Sequence, residues 1–533
     1  MTYAKKSKVS IAALVLVAIG LYVLYFAALG SYPLVDPDEP IYGQVAKEMA
    51  GGAGWLTPHY DGKPWFDKPP LFYWLSAGCA AVLGPNELAS RLPSAVLAVG
   101  VLVWLYLLVR HDFGRRAALL ACVAMATCIQ TIVLARAAVT DMTLVFCLVG
   151  ALYAYRRWLG EGQDGCFRLL WMVLCGVMTG LGMLAKGPVA PFLLFVTFVI
   201  HLLWTKRIGR LLSLGALAGI AAALAVGLPW YVAMYTINRD AFVQGFIVAN
   251  NIARFAKPEH AGLTGAWYSY FLNVPVLFLF FFPWSLLLPA GMLRYRSAND
   301  GARLAAVWFA VVFVFFSLSK TQLVTYIFPL YPAAALFVGV LLDRAAFGES
   351  GSERSARVGL VAILAVSVLI AVALASVAGS KYPQAVVGAG CMGGAIVLAA
   401  IAAVLQKSAA RAAWLVGAGM AAFTLTLVLC VVPAVAPAVS TRDIVRSIPL
   451  AKGDRVAEYG MRKPSMLFYL GFTPQRMTNV PDTKRLLDEK VSTWLICKER
   501  EAPLLQTPES VVAERMGGFA VIANEPAACR ERR

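Results

Sequence analysis

Long uncharged stretches alternate with short charged ones over the first 440 or so residues. Six such stretches lie between Lys8 and Asp36, Arg91 and Arg110, Arg116 and Arg136, Asp141 and Arg156, Arg168 and Lys186, and Lys186 and Lys206. Seven more run from Arg210 to Arg239, Glu259 to Arg294, Arg303 to Lys320, Lys320 to Asp343, Arg357 to Lys381, Lys381 to Lys407 and Arg411 to Arg442. A helix crosses a bilayer in about 20 apolar residues, and flanking Arg or Lys side chains let shorter stretches suffice by reaching back to the interface. The pattern therefore predicts a polytopic α-helical membrane protein with about 13 transmembrane helices. Its weakest member is the stretch from Asp141 to Arg156.

Two segments between spans are long enough to hold structure of their own, residues 31–91 and 239–268. The first carries Pro40 to Met49, a short run of mixed polarity that follows a carboxylate cluster and stops at Gly51-Gly52. It reads as an interfacial helix. The aromatic residues crowded after it, Trp55 to Trp74, suit headgroup depth. From Thr441 onward the pattern changes to mixed charge with short β-prone runs such as Val491 to Cys497. Residues 1–440 are thus expected to form a transmembrane domain, and 441–533 a soluble α/β domain.

Composition agrees, with 60% hydrophobic and only 14% charged residues. A soluble globule carries about a quarter charged. Charge then orients the chain, because Lys and Arg near span ends stay on the cytoplasmic side. With the amino terminus inside, twenty cations from Lys5 to Arg411 fall in cytoplasmic segments, whereas the short outer loops hold only Arg136, Lys186, Lys320 and Lys381. The carboxyl-terminal domain is then outside. The net charge of +18 reflects these inside cations facing anionic headgroups, and no nucleic-acid partner is expected. The first apolar run exceeds a signal-peptide core and lacks a small-residue cleavage site after it, so it reads as a span. Eight of the ten cysteines lie in or beside apolar spans; Cys497 and Cys529, both in the outer tail, are the one pair that an oxidising compartment would let bridge.

The candidate chemistry gathers on the outer side. Asp36-Pro37-Asp38-Glu39 puts three carboxylates in four residues, a repulsion that a folded site must offset with cations, metal or protonation. Trp65-Phe66-Asp67-Lys68-Pro69-Pro70 sets an acid and a base before a stiff turn. Arg136 and Asp141 flank a hairpin so short that both reach the outer surface. Lys186, Arg254, Lys257, His260, Lys320 and Tyr326 complete the set. A solvated loop start, interfacial anchors and a structural Arg136–Asp141 ion pair are the plain alternatives. Together, cations beside carboxylates at a membrane surface suggest the handling of a phosphate-bearing lipid.

The run Asp38-Glu39-Pro40-Ile41-Tyr42, then Lys47-Glu48-Met49, Trp55, Pro58-His59 and Phe66-Asp67-Lys68-Pro69-Pro70, resembles the aminoarabinose-transferase-like family of polyprenyl-phosphate-dependent glycosyltransferases. That family shares the GT-C architecture with protein O-mannosyltransferases. Thr140-Asp141, Arg254-Phe255, Pro283-Trp284, Lys320 and Thr325-Tyr326 are supporting matches. The resemblance implies a GT-C fold whose transmembrane domain is catalytic, with catalytic Asp38, Asp141 and Glu39, and with Lys68, Arg254, Tyr326 and Lys320 on the lipid phosphate. It also implies a divalent metal at Asp67, with His260 standing in for a family histidine that Asn250-Asn251-Ile252 lacks. Asp67 replaces a usual Glu, Ile41 a usual Arg, and Gln322-Leu323-Val324 departs from the Lys-Leu-Pro that precedes Thr-Tyr in aminoarabinose transferases.

The outer face of a bacterial inner membrane has no nucleotide sugars. The expected reaction is therefore transfer, with inversion, from a polyprenyl-phosphate sugar to an envelope glycolipid such as lipid A or lipopolysaccharide core. A protein serine or threonine acceptor is an alternative. A lipid or solute transporter is another, although the polar residues lie at one face and show no repeat.

Overall fold

The computed structural model describes residues 11–160, 165–253 and 270–531. Eight helices are long and apolar enough to cross a membrane by length and composition, and shorter apolar helices cover Leu14–Phe26, Leu71–Leu83 and Val189–Trp204. The chain is an integral membrane protein. Its helices begin with α1 (Ile11–Leu21), α2 (Asp38–Glu48), α3 (Leu71–Leu83), α4 (Glu87–Thr127), α5 (Ile129–Ala135), α6 (Asp141–Trp158), α7 (Gly165–Lys186), α8 (Val189–Trp204) and α9 (Leu214–Phe242).

α4 starts where the Asn86 side chain accepts from the Ala89 amide at 2.9 Å, an N-cap that satisfies an otherwise unpaired donor. It is two apolar arms folded at Gly114, whose φ of +86° a residue with a Cβ rarely adopts. The weak stretch after Asp141 is α6, and nearly all of its side chains are buried. Protein rather than lipid surrounds it, so its polar positions cost less than they would on an outer helix. α7 and α9 meet backbone to backbone. A Cβ on Gly176 would collide with the carbonyl oxygen of Gly219, and one on Gly180 would sit 2.7 Å from that of Ala223. This small-x-x-x-small approach packs helices where lipid offers no hydrophobic drive.

The expected interfacial helix is α2, ending at a left-handed Gly52. Beyond it a hairpin forms from β1 (His59–Tyr60) and β2 (Lys63–Pro64), with Asp61-Gly62 as its two-residue turn, both at positive φ. Glu48 of α2 holds that turn, its Oε1 accepting from the Asp61 amide at 2.8 Å and its Oε2 from Gly62 at 3.1 Å. The hairpin thereby fixes where Trp65 to Pro70 leave it.

The last part of the chain is a five-stranded sheet of β3 (Arg455–Tyr459), β4 (Gln475–Met477), β5 (Thr493–Lys498), β6 (Ser510–Met516) and β7 (Phe519–Asn524). Strand order is β4-β3-β5-β7-β6, parallel from β4 to β5 and antiparallel thereafter. Alternation along β5 sends Trp494 and Ile496 to one core, Leu495 and Cys497 to the other. Cys497 is a free, buried thiol aimed at the Ala520 carbonyl, so it does not form the bridge that the sequence allowed; the Cys529 side chain lies outside the described residues.

Candidate active site

Asp38 and Glu39 open α2, where the helix dipole favours negative charge. The three carboxylates of the turn go separate ways. Asp36 faces the sheet domain, where Oδ1 accepts from the Ser465 amide at 2.9 Å and Oδ2 from its hydroxyl at 2.6 Å, with Lys463 Nζ at 3.5 Å. Glu39 turns into the bundle. Its Oε1 accepts from Arg91 Nε and the Ala138 amide, each at 2.8 Å, and its Oε2 from Arg91 Nη2 at 2.7 Å and the Val35 amide at 2.8 Å. Arg91 is wholly buried and gives its remaining N–H groups to the carbonyls of Leu29, Tyr32 and Pro33. Every donor and acceptor of this pair is used. Asp38 alone of the three stands exposed toward the site.

Asp141, at the start of α6, is buried and accepts from Lys186 Nζ at 2.8 Å. The same ammonium lies 5.4 Å from the centre of the Tyr326 ring, a cation–π approach. The alternative Arg136–Asp141 ion pair does not form. Arg136 instead donates to the carbonyls of Leu24 at 3.2 Å and Ala27 at 2.5 Å, closing the end of the first helical segment. Lys68 Nζ donates to Asp67 Oδ1 at 3.2 Å. Lys320 is exposed in the loop before Tyr326, which Gln130 fastens by donating to the Val324 carbonyl at 2.7 Å.

Tyr42, one turn along α2, ties these parts together. Burial, and after it the charges of Asp67, Tyr73, Asp38 and Asp141, push its phenol pKa well above the ordinary value. The charges of three carboxylates, on α2, α6 and the segment after the hairpin, are thus all felt at one buried phenol. Arg254, Lys257 and His260 lie outside the described residues. Among the described residues no three His, Cys, Asp or Glu side chains gather to hold a metal ion. A divalent ion at Asp67 would share that carboxylate with the Lys68 ammonium, 3.2 Å from Oδ1. Sequence reasoning named Asp38, Asp141, Lys68 and Tyr326, treated Lys186 only as one outer cation, and missed Arg91 and Tyr42 as parts of the site. The Lys186-Gly187-Pro188 break at the end of a span, like Thr140-Asp141 at the start of another, was the available signal for that pairing.

The crystal structure of ArnT from Cupriavidus metallidurans bound to undecaprenyl phosphate superposes with a TM-score of 0.84 at 24% identity, over 97% of this chain and 98% of that one. The chain has the ArnT fold. Its apo state matches with a TM-score of 0.82. Residues 67–233 of this ArnT-like chain match the dolichyl-phosphate-mannose-protein mannosyltransferase family. An undecaprenyl phosphate-alpha-4-amino-4-deoxy-L-arabinose arabinosyl transferase of Pseudomonas aeruginosa (strain UCBPP-PA14) is 34% identical over 64% of this chain and 61% of its own length. One from Pseudomonas fluorescens (strain Pf0-1) is 33% identical over 59% and 55%. The ArnT-like chain therefore aligns with less than two thirds of these curated relatives' length. The GT-C fold implied by the Asp-Glu-Pro-Ile-Tyr run, with the carboxyl-terminal sheet expected from the β-prone runs after Thr441, is the one present.

Proposed function

We propose that this chain is a glycosyltransferase of the bacterial inner membrane. It moves a sugar from a polyprenyl-phosphate-linked donor to an envelope glycolipid, lipid A or lipopolysaccharide core, at the periplasmic face. The observation that supports this most is the pairing of Asp67 with Lys68 and of Asp141 with Lys186, acids that with Asp38 all act on the Tyr42 phenol, in a chain of ArnT fold. The activity for which the curated relatives are named favours the same donor and sugar class. On that face the donor must be lipid-linked.

The bond that breaks joins the anomeric carbon to a phosphate oxygen, and its electron pair leaves with the polyprenyl phosphate. Lys68, Tyr326, Arg254 and Lys320 are the groups proposed to stabilise that growing charge. The acceptor oxygen attacks from the opposite side, so one displacement inverts the anomeric centre. Asp38, the exposed carboxylate, orients the acceptor or takes its proton. A lipid A phosphate is already ionised and needs no base, in which case Asp38 positions the sugar. Asp141 is held for its part by Lys186. With all four of its bonds directed inward, Glu39 acts here as a positioning residue, not as the reacting carboxylate.

Purified protein given polyprenyl-phosphate sugar and lipid A tests this directly. D38N is expected to lower transfer by about 100-fold or more, the usual scale for a positioned acid or base. Full transfer by D38N would remove the mechanism. A product with the donor's own anomeric configuration would remove the single displacement.

A further inference from the structure

Asp38 lies between two carboxylates that are each clamped, by opposite parts of the molecule. Glu39 is fixed from the bundle by Arg91, Val35 and Ala138. Asp36 is fixed from the sheet domain, by Ser465 through two hydrogen bonds and by Lys463 through an ion pair. Ser465 is itself wholly buried and held, its hydroxyl 2.8 Å from Thr441 Oγ1. Asp36 is almost as enclosed, with a side chain 7% exposed. Ser465 and Lys463 stand at the start of the short Pro464–Leu470 helix, and that helix runs along α2. Its Phe468 carbonyl accepts from Lys47 Nζ at 3.0 Å, and its Tyr469 hydroxyl accepts from the Leu34 amide at 2.8 Å. A second contact docks the domain without touching Asp36, where Arg442 Nη1 meets Glu87 Oε1 and the Ser31 carbonyl, each at 3.3 Å.

We infer that the soluble domain sets the position of Asp38: Ser465 and Lys463 hold Asp36, and Asp36 with Glu39 fixes the turn from which Asp38 reaches the reacting atoms. This rests on the transferase reading. The domain is then part of the active-site frame and not an appended module. Asp36, Ser465 and Lys463 are positioning residues, and their loss acts on turnover, because a small misplacement of a reacting group slows the chemical step without weakening donor binding.

The test compares the full-length wild type with S465A/K463M, S465A, S465T, R442M and D38N in one transfer assay, alongside thermal unfolding. S465A/K463M leaves Asp36 only the Ser465 amide; its kcat is expected to fall about tenfold with the donor KM unchanged. S465A, which keeps the ion pair, is expected to lose about threefold, and it carries the same reading if the double variant does not express. S465T keeps a hydroxyl and is expected to restore turnover. R442M removes a docking contact that leaves the bonds of Asp36 to Ser465 and Lys463 in place; it is expected to lower the melting temperature while kcat stays at the wild-type value. Wild-type kcat in both S465A and S465A/K463M, or an equal loss in R442M, overturns the inference while leaving the transferase reading intact. A wild type no more active than D38N overturns that reading, and the inference with it.

Discussion

A buried carboxylate and a buried guanidinium are tolerable only when all their polar atoms are answered, and the Glu39–Arg91 pair meets that condition. Removing one partner leaves the other charged and enclosed. R91M is therefore expected to cost about 3–5 kcal/mol, read as a large fall in unfolding temperature in detergent; a variant within 1 °C of wild type would mean that the pair carries little of the fold. The need for such a pair was legible in the sequence, since three carboxylates in four residues demand compensation. Which cations would answer was not. Arg91 looked like the end of a span, and Lys463 lies more than 420 residues from Asp36. Pairing across such separations is set by how helices stack, and one sequence does not encode it locally. Asp141 shows the same limit, for its partner is Lys186 and not the nearer Arg136.

At the scale of elements, apolar runs and their flanking charges were readable because lipid enforces a simple rule on each helix separately. Turns were less so, although one signal was in view: Asp61-Gly62 between two short runs predicts the hairpin found at His59–Pro64, and it drew no attention beside the aromatic residues. The approach of α7 to α9 depends on the absence of side chains, which apolar counting does not weigh. G180L would force the two backbones apart at Ala223, Val226 and Gly227. It is expected to destabilise by about 1–3 kcal/mol or more, seen as a lower melting temperature and faster trypsin cleavage. Unchanged values for both would show that the interface yields at little cost.

At the scale of the whole molecule, the bundle supplies Asp38, Asp141 and Lys186, the hairpin segment supplies Asp67 and Lys68, and the sheet domain braces the turn before α2. The sequence reading expected a sheet-bearing domain after the spans but assigned it no part in the site, because nothing in its own residues looked catalytic. One contact described by neither motif nor span pattern is that of Phe66. Its ring packs 5.7 Å from that of Phe242, it lies against Gly245, and its carbonyl accepts from Asn250 at 3.3 Å. Phe66 stands two residues before Lys68, and Asn250 four residues before Arg254. The stretch that presents Lys68 thus shares an aromatic footing with the stretch that runs from Phe242 to Asn250. A change to that footing should loosen the hold of Lys68 on the donor: F66A is expected to raise the donor KM several-fold while Lys68 keeps its charge, and adding K68A to it should cost less than K68A costs alone. If the two losses simply multiply, Phe66 does not act through Lys68. If they do not, the aromatic contact is what makes two distant stretches of chain behave as a single hand.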